Sequence, residues 1–334
     1  MMEGDPERTA RPALAAIIAC LPGLALASGA TAAAFLASIH AGLPLTMMAL
    51  LIGLALNFLQ PREALAPGLA FAAGTLLRIS IVLLGMRITF DQVAGLGPAP
   101  LAALLLIVAA TIGAALLAAR LLGASAAFGA LAGGAVAICG ASAALALAAL
   151  LGDRRVSRPE VALVLVGIAA MSALAMLLYP ILAGAAGLGD LEAGFLMGAS
   201  IHEVAHSLGA GYSFSAAAGE AATIVKMSRV ALLAPVLLAI GFAFGGSVKG
   251  VRLPWFVLAF FAVAALNSIG IFPGPVREGA AAIAAILLAL AVAATGIRLP
   301  LRSLFENSAR SLLILALASL TALGLSILAL RFLI

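Results

Sequence analysis

Residues 198 to 235 read GASIHEVAHSLGAGYSFSAAAGEAATIVKMSRVALLAP. Two His, two Glu, one Lys and one Arg are set there in otherwise apolar sequence, and the whole chain is 65% apolar and 9% charged, with a mean hydropathy of +1.26. That composition is a membrane protein's. A charge at the centre of a bilayer costs roughly 2.5 to 3.5 kcal/mol even on insertion scales, so ionisable residues kept there face a pathway or one another. The stretch is therefore the first candidate for a functional site.

Working outward, 334 residues supply about ten or eleven helical spans of roughly 20 residues with almost nothing left for a soluble domain. No alternating ten-residue strand pattern occurs, so the fold class is an all-α membrane protein, because only helices then satisfy the backbone in lipid. Residues 1–11 (MMEGDPERTAR) read as a polar N-terminal tail without the basic start and cleavage site of a secretory signal, and 12–334 as a single transmembrane transporter domain. The net charge of +5 lies in short loops, which fits membrane orientation and gives no tract for nucleic acid. Cys20 and Cys139 fall in apolar runs and suggest no disulfide, and no nucleotide-binding motif is present. No cofactor is implied.

Apolar runs mark spans near 13–39, 43–60, 65–88, 98–122, 126–151, 159–184, 190–216, 219–246, 253–272, 276–297 and 304–332. The chain also repeats itself. Leu56-Asn57, Pro61 and Gly85-Met86-Arg87-Ile88 recur as Leu266-Asn267, Pro273 and Gly296-Ile297-Arg298-Leu299, at offsets of 210 to 212. A shorter repeat relates Gly140-Ala141-Ser142 and Leu178-Tyr179-Pro180 to Gly198-Ala199-Ser200 and Leu233-Ala234-Pro235. Orientation is harder. Arg154, Arg155 and Arg158 put the loop after the fifth span in the cytoplasm and Asp190 and Glu192 put the next one outside. Simple counting then places Lys249 and Arg252 outside as well. The conflict disappears if 190–216 is broken, or enters and returns.

His202, Glu203 and His206 form HEVAH, the H-E-x-x-H spacing that presents two imidazoles for zinc on a helix, with Glu as general base. No third ligand motif accompanies it, the remaining His being His40. The same three residues on one helix face can instead exchange protons, which makes them candidates for ion coupling. Lys226 and Arg229, one turn apart and with Arg229 nine residues in from Glu220, could be an anion site built from a point charge and a fork, or could reach along the helix to the headgroups. The Gly-rich run 133–142, with Cys139, Gly140 and Ser142, is a second candidate helix break, and the amides at a new helix start hold anions. Ser200 completes the expected substrate shell. Arg78, mid-run, needs Glu203 or a cavity, whereas Arg87 and Arg298 read as residues that close helices, and Asn57 and Asn267 as interhelical hydrogen bonds or helix ends.

Leu77–Arg87 (LRISIVLLGMR), Ile138–Ser142 (ICGAS), Gly198–Ala205 (GASIHEVA), Ala222–Pro235 (ATIVKMSRVALLAP) and Pro254–Asn267 (PWFVLAFFAVAALN) resemble, in order, the YeiH family of bacterial inner-membrane proteins, whose members carry the name sulfate exporter. The resemblance implies a multi-pass transporter of the bile-acid-symporter-like kind. In it ICGAS and GASIHEVA are two interrupted helices crossing at midplane beside the substrate. The chain departs from the family pattern at His206, where Gln is usual, near Ala149, where a Pro is expected, and at Met171-Ser172-Ala173, where the family has Phe-Gly-Thr. The resulting expectation is a proton- or sodium-coupled secondary transporter of sulfate, another sulfur oxyanion or a sulfonate, embedded in the inner membrane as a monomer or homo-oligomer. Lys226, Arg229, Cys139, Gly140, Ser142 and Ser200 would bind the anion, and His202, Glu203 and His206 would carry the coupling ion. The competing readings are an intramembrane zinc protease and a non-transporting sensor or scaffold.

Overall fold

A computed structural model describes residues 6–59, 62–95, 97–245, 254–299 and 309–333. Residues 1–5 of the polar tail, Pro61 of the long repeat, and Lys249 and Arg252 lie outside the described residues. Every regular element among these is a helix. They are α1 (Pro6–Ala41), α2 (Leu45–Ala55), α3 (Glu63–Arg87, with a π-helical turn at Ala72–Leu76), the short α4 (Phe90–Gly95), α5 (Pro98–Leu121), α6 (Ala126–Ala137), α7 (Ala141–Leu151) and α8 (Arg158–Ala185). After them come α9 (Asp190–Ser200), α10 (Val204–Phe214), α11 (Ala216–Phe244), α12 (Trp255–Ser268), α13 (Gly274–Arg298) and α14 (Ala309–Leu333). Seven are long and apolar enough to cross a bilayer. The chain is a multi-pass, all-α membrane protein.

The helices form two groups. A panel of α1, α2, α3, α12 and α13 packs through small residues: a Cβ on Gly53 would come within 2.4 Å of the Ala293 carbonyl, and one on Gly296 within 3.0 Å of Leu50 O. A core of α5 to α11 and α14 stands beside it, meeting the panel mainly where α10 lies against α2 and α13. The panel carries the long repeat, and its two halves exchange caps. The Asn57 amide donates to the carbonyls of Gly296, Ile297 and Leu299 at the end of α13, and Asn267 donates to Ile88 O beyond the end of α3. Each Asn thus satisfies orphan carbonyls of the other half's second helix. The interhelical role expected for this pair is the one found.

Both expected interruptions are present, at 138–140 and 201–203, but neither segment crosses the membrane. In the second, Gly194 of α9 and Gly211 of α10 both sit against Ala218 of α11, and the Ser215 hydroxyl donates to Asp190 at 2.7 Å. The start and end of the segment are therefore neighbours, so 190–214 enters and returns as a hairpin. The first segment behaves the same way from the other face. α6 doubles back along α5, with Gly129 on Ala119 and Gly133 on Ala115 and Ile112. α14 fixes the remaining direction. It runs parallel to α8, Gly167 meeting Leu312 and Leu315 while Ser319 meets Met171, and antiparallel to α5. Both ends of 126–151 consequently lie at the face where α14 begins. Two helical hairpins thus reach inward from opposite faces and meet tip to tip, Gly140 against Glu203. This corrects the expectation of two broken helices that cross. It also corrects the shorter repeat, because Gly140-Ala141-Ser142 opens a returning arm whereas Gly198-Ala199-Ser200 closes an entering one.

Following the chain through these hairpins puts Arg62, Arg120, Arg154, Arg155, Arg158, Arg298 and Arg310 toward one face, here the basic face. Asp91, Asp190, Glu192, Arg277, Glu278 and Arg331 lie toward the opposite face. Gly245 and Pro254, which end α11 and precede α12, both lie toward the basic face.

Candidate functional site

At the meeting of the tips the four half-helices sort by polarity. α6 and α9 end there, exposing carbonyls, and α7 and α10 begin there, exposing amides. Lys226 and Arg229, both fully buried on α11, serve the carbonyl ends. Lys226 Nζ donates to Ile201 O and His202 O at 2.5 and 2.6 Å. Arg229 spans both hairpins: Nε and Nη2 reach Ala137 O at 2.9 and 2.6 Å, Nη2 reaches Val136 O at 3.0 Å, and Nη1 reaches Ala199 O and Gly198 O at 2.5 and 3.1 Å. A buried charge is tolerable when hydrogen bonds and opposing dipoles replace water. Here two helix C-termini, each worth about half a negative charge, do so. The expected anion fork is therefore a clamp that pins the tips together, with its donors spent on backbone. Ser200 is likewise turned inward, its hydroxyl donating to Leu196 O, and does not line the cavity described below.

The amide ends face a different environment. A cavity of about 280 Å³ opens between panel and core and reaches the tips, lined there by Cys139, Ala141, Ser142, Glu203, Val204 and Ala205. Neither α7 nor α10 has a side-chain cap on its first-turn amides. From the panel, Arg78, Thr295 and Arg298 complete the wall, and the Arg78 guanidinium lies 6.0 Å above the Phe256 ring. Cys139 and Ser142 thus line the cavity. Gly140 contributes differently, since its φ of 65° makes the turn and a Cβ there would come within 2.9 Å of Glu203 Cγ. Arg78 does find both a cavity and Glu203 within it. The sequence reading missed Arg298 and Thr295. The available signal was the long repeat itself, which pairs Arg298 with Arg87 in equivalent panel positions.

The HEVAH residues are separated by the break. His202 and Glu203 precede α10, so the two imidazoles do not share a helix face, and the shared-face expectation is corrected. His202 Nε2 lies 2.8 Å from the Ser319 hydroxyl of α14, while His206 Nδ1 lies 2.9 Å from Glu203 Oε2. His206 is fully buried and its Nε2 has no hydrogen-bond partner. The Glu203 amide donates to Ser172 Oγ at 3.1 Å, which fixes the tip against α8. Among the described residues no three His, Cys, Asp or Glu side chains converge as metal ligands.

The family model described as conserved hypothetical protein 698 matches residues 22–315. The chain is 42% identical over 332 residues to the UPF0324 membrane protein TauZ of Paracoccus denitrificans, covering 95% of this chain and 98% of that protein. The chain belongs to the YeiH/UPF0324 family. Further UPF0324 membrane proteins are similar to it: TauZ of Paracoccus pantotrophus at 40% over 305 residues (88% of this chain, 90% of that one), and a protein of Chlorobaculum tepidum at 38% over 293 residues (85% and 82%). No solved structure matches the chain. Like these UPF0324 membrane proteins, the chain is hydrophobic and multi-pass.

Proposed function

We propose that the protein is a secondary transporter of a small anion, in which the core moves against the panel to open the hairpin tips to one face and then the other. The observation that carries this reading is the cavity where two uncapped helix N-termini, Arg78 and Arg298 converge around Glu203. Each helix start offers about half a positive charge and unpaired amides, and each arginine a planar five-donor fork, a combination suited to a sulfate or sulfonate group. The Lys226 and Arg229 clamp supports the same reading by neutralising the opposite helix ends, so that the field in the cavity favours negative charge.

The two halves, α2, α3, α5, α6/α7, α8 and α9/α10, α11, α12, α13, α14, run in opposite directions and read as an inverted repeat, the construction used by transporters with a midplane site. The basic face is assigned to the cytoplasm of a bacterial inner membrane by its excess of arginine in short loops, and the cavity then opens inward. Glu203 and its neighbour His206 are the proposed coupling site, with His202 holding the tip to α14. Protonating the carboxylate removes a negative charge from the anion's cavity and so links the two ions.

In proteoliposomes, labelled sulfate or taurine is expected to enter when an imposed pH gradient makes the outside acidic. Arg78→Gln and Arg298→Gln should each lower initial flux by about tenfold or more, the loss of one charge-assisted hydrogen-bonding partner. Glu203→Gln should leave downhill exchange while abolishing the pH dependence. Flux equal to wild type in both arginine variants would overturn the assignment, and dependence on a sodium gradient alone would replace the proton.

A further inference from the structure

A second cavity, of about 200 Å³, lies between panel and core on the opposite side of the hairpin tips. The panel part of its lining corresponds to the panel part of the first cavity's through the long repeat, while the core contributes Tyr212 in place of the hairpin tips. Leu84, Arg87 and Ala285 there stand where Thr295, Arg298 and Gly74 stand in the first, each pair 211 positions apart. This correspondence depends on cavity shape and numbering, not on the hydrogen bonds that defined the first site.

On the far side of the second cavity the panel is bridged to the core. Among the described residues, the hydrogen bonds and ion pairs that tie α2 and α3 to the core cluster on this side. Thr46 Oγ1 donates to Gly209 O at 2.9 Å and lies 2.8 Å from Ser213 Oγ, and Arg87 Nη2 pairs with Glu220 Oε1 at 2.8 Å. Gln92 steadies the same carboxylate from α4, at 3.3 Å. One polar group in the lining is left over. The Tyr212 hydroxyl is buried without a hydrogen-bond partner, and the Thr223 hydroxyl donates instead to Gly219 O. A guanidinium paired with a carboxylate beside an unsatisfied phenol, in the panel counterpart of an anion cavity, has the chemistry of an anion site in its unloaded state.

We propose that this cavity is a second site for the same small anion, at the far end of its path, and that Glu220 occupies Arg87 until the anion displaces it. The inference rests on the first cavity being an anion site. When the anion reaches Arg87, with Tyr212 donating its hydroxyl hydrogen to it, the Glu220 carboxylate is released and the bond holding α3 to α11 is lost. Arrival of the substrate and opening of the far face are then one event.

The test compares single cysteines placed in the two cavities, Ser142→Cys in the first and Ala285→Cys in the second, labelled with a membrane-impermeant thiol reagent in nanodiscs and read by mass spectrometry at each site. Sulfate is the probe, against gluconate at equal ionic strength. In a Glu220→Gln background, which keeps the side chain's shape and an acceptor for Gln92, labelling at position 285 is expected to rise about threefold to fivefold over the Glu220 parent, the change that loss of one partly exposed ion pair produces. Sulfate should then slow it. Protection of position 142 by sulfate with no change at position 285, from either Glu220→Gln or sulfate, would overturn the second site and leave the first standing. Absence of protection at both positions would remove both. Should labelling at position 285 rise without sulfate protection, the ion pair is a latch only and the second binding site is refuted.

Discussion

Lys226 and Arg229 are held by carbonyl oxygens and not by counter-ions, and this decides what their substitution does. Arg229→Met strips five hydrogen bonds of 3.1 Å or less from the ends of α6 and α9 and leaves buried carbonyls unpaired, so a loss of about 3 kcal/mol or more is expected. It should show as a large fall in thermal midpoint and in purified yield, with or without anion. Arg78→Gln, on the cavity wall, should leave the ligand-free midpoint nearly unchanged, within about 0.5 kcal/mol, and remove the upward shift caused by sulfate. A fold that tolerates Arg229→Met while losing only anion response would show that the clamp is in fact a substrate site. From sequence, the helical spacing of Lys226 and Arg229 and the need of Arg78 for a polar partner were both legible. Which cation meets carbonyl and which meets cavity was not, because that depends on the direction in which each half-helix arrives.

The hairpins owe their close packing to small residues. Gly194 and Gly198 let α9 lie on α11, where a Cβ would come within 2.5 Å of Ala221 Cβ and 2.7 Å of Val225 Cβ respectively. Gly194→Ala is expected to destabilise by about 1 to 3 kcal/mol through overpacking. Gly113→Ala, at a helical position with nothing within 4 Å of the added carbon, should be neutral or stabilising by up to about 1 kcal/mol. Midpoints measured in the same detergent compare the two, and equal effects would contradict the packing. The breaks at 138–140 and 201–203 were visible as Gly, Ser and His runs in apolar sequence. Re-entry was not. A hairpin of two 11-residue arms has the length and hydropathy of one spanning helix, and only contacts such as Ser215 with Asp190 separate them.

For the whole molecule, two re-entrant hairpins change the count of crossings and hence which loops share a face. Cysteines substituted for Leu43, Leu191 and Ile271 should react with an impermeant thiol reagent from one side of the membrane and a cysteine substituted for Asp153 from the other. A pattern with positions 191 and 153 on the same side would break the topology. By itself the sequence determined the solvent, the helical class, where the apolar runs begin and end and the residues that recur 211 positions apart, since hydropathy and residue spacing are local or additive properties. The tertiary structure decided that the broken segments turn back, that Arg229 closes the carbonyl ends while Arg78 and Arg298 face the amide ends, and that the panel part of the second cavity's lining corresponds to that of the first. Those depend on the relative direction of helices far apart in the chain, and electrostatic roles in a membrane follow from which end of a helix dipole a charge meets.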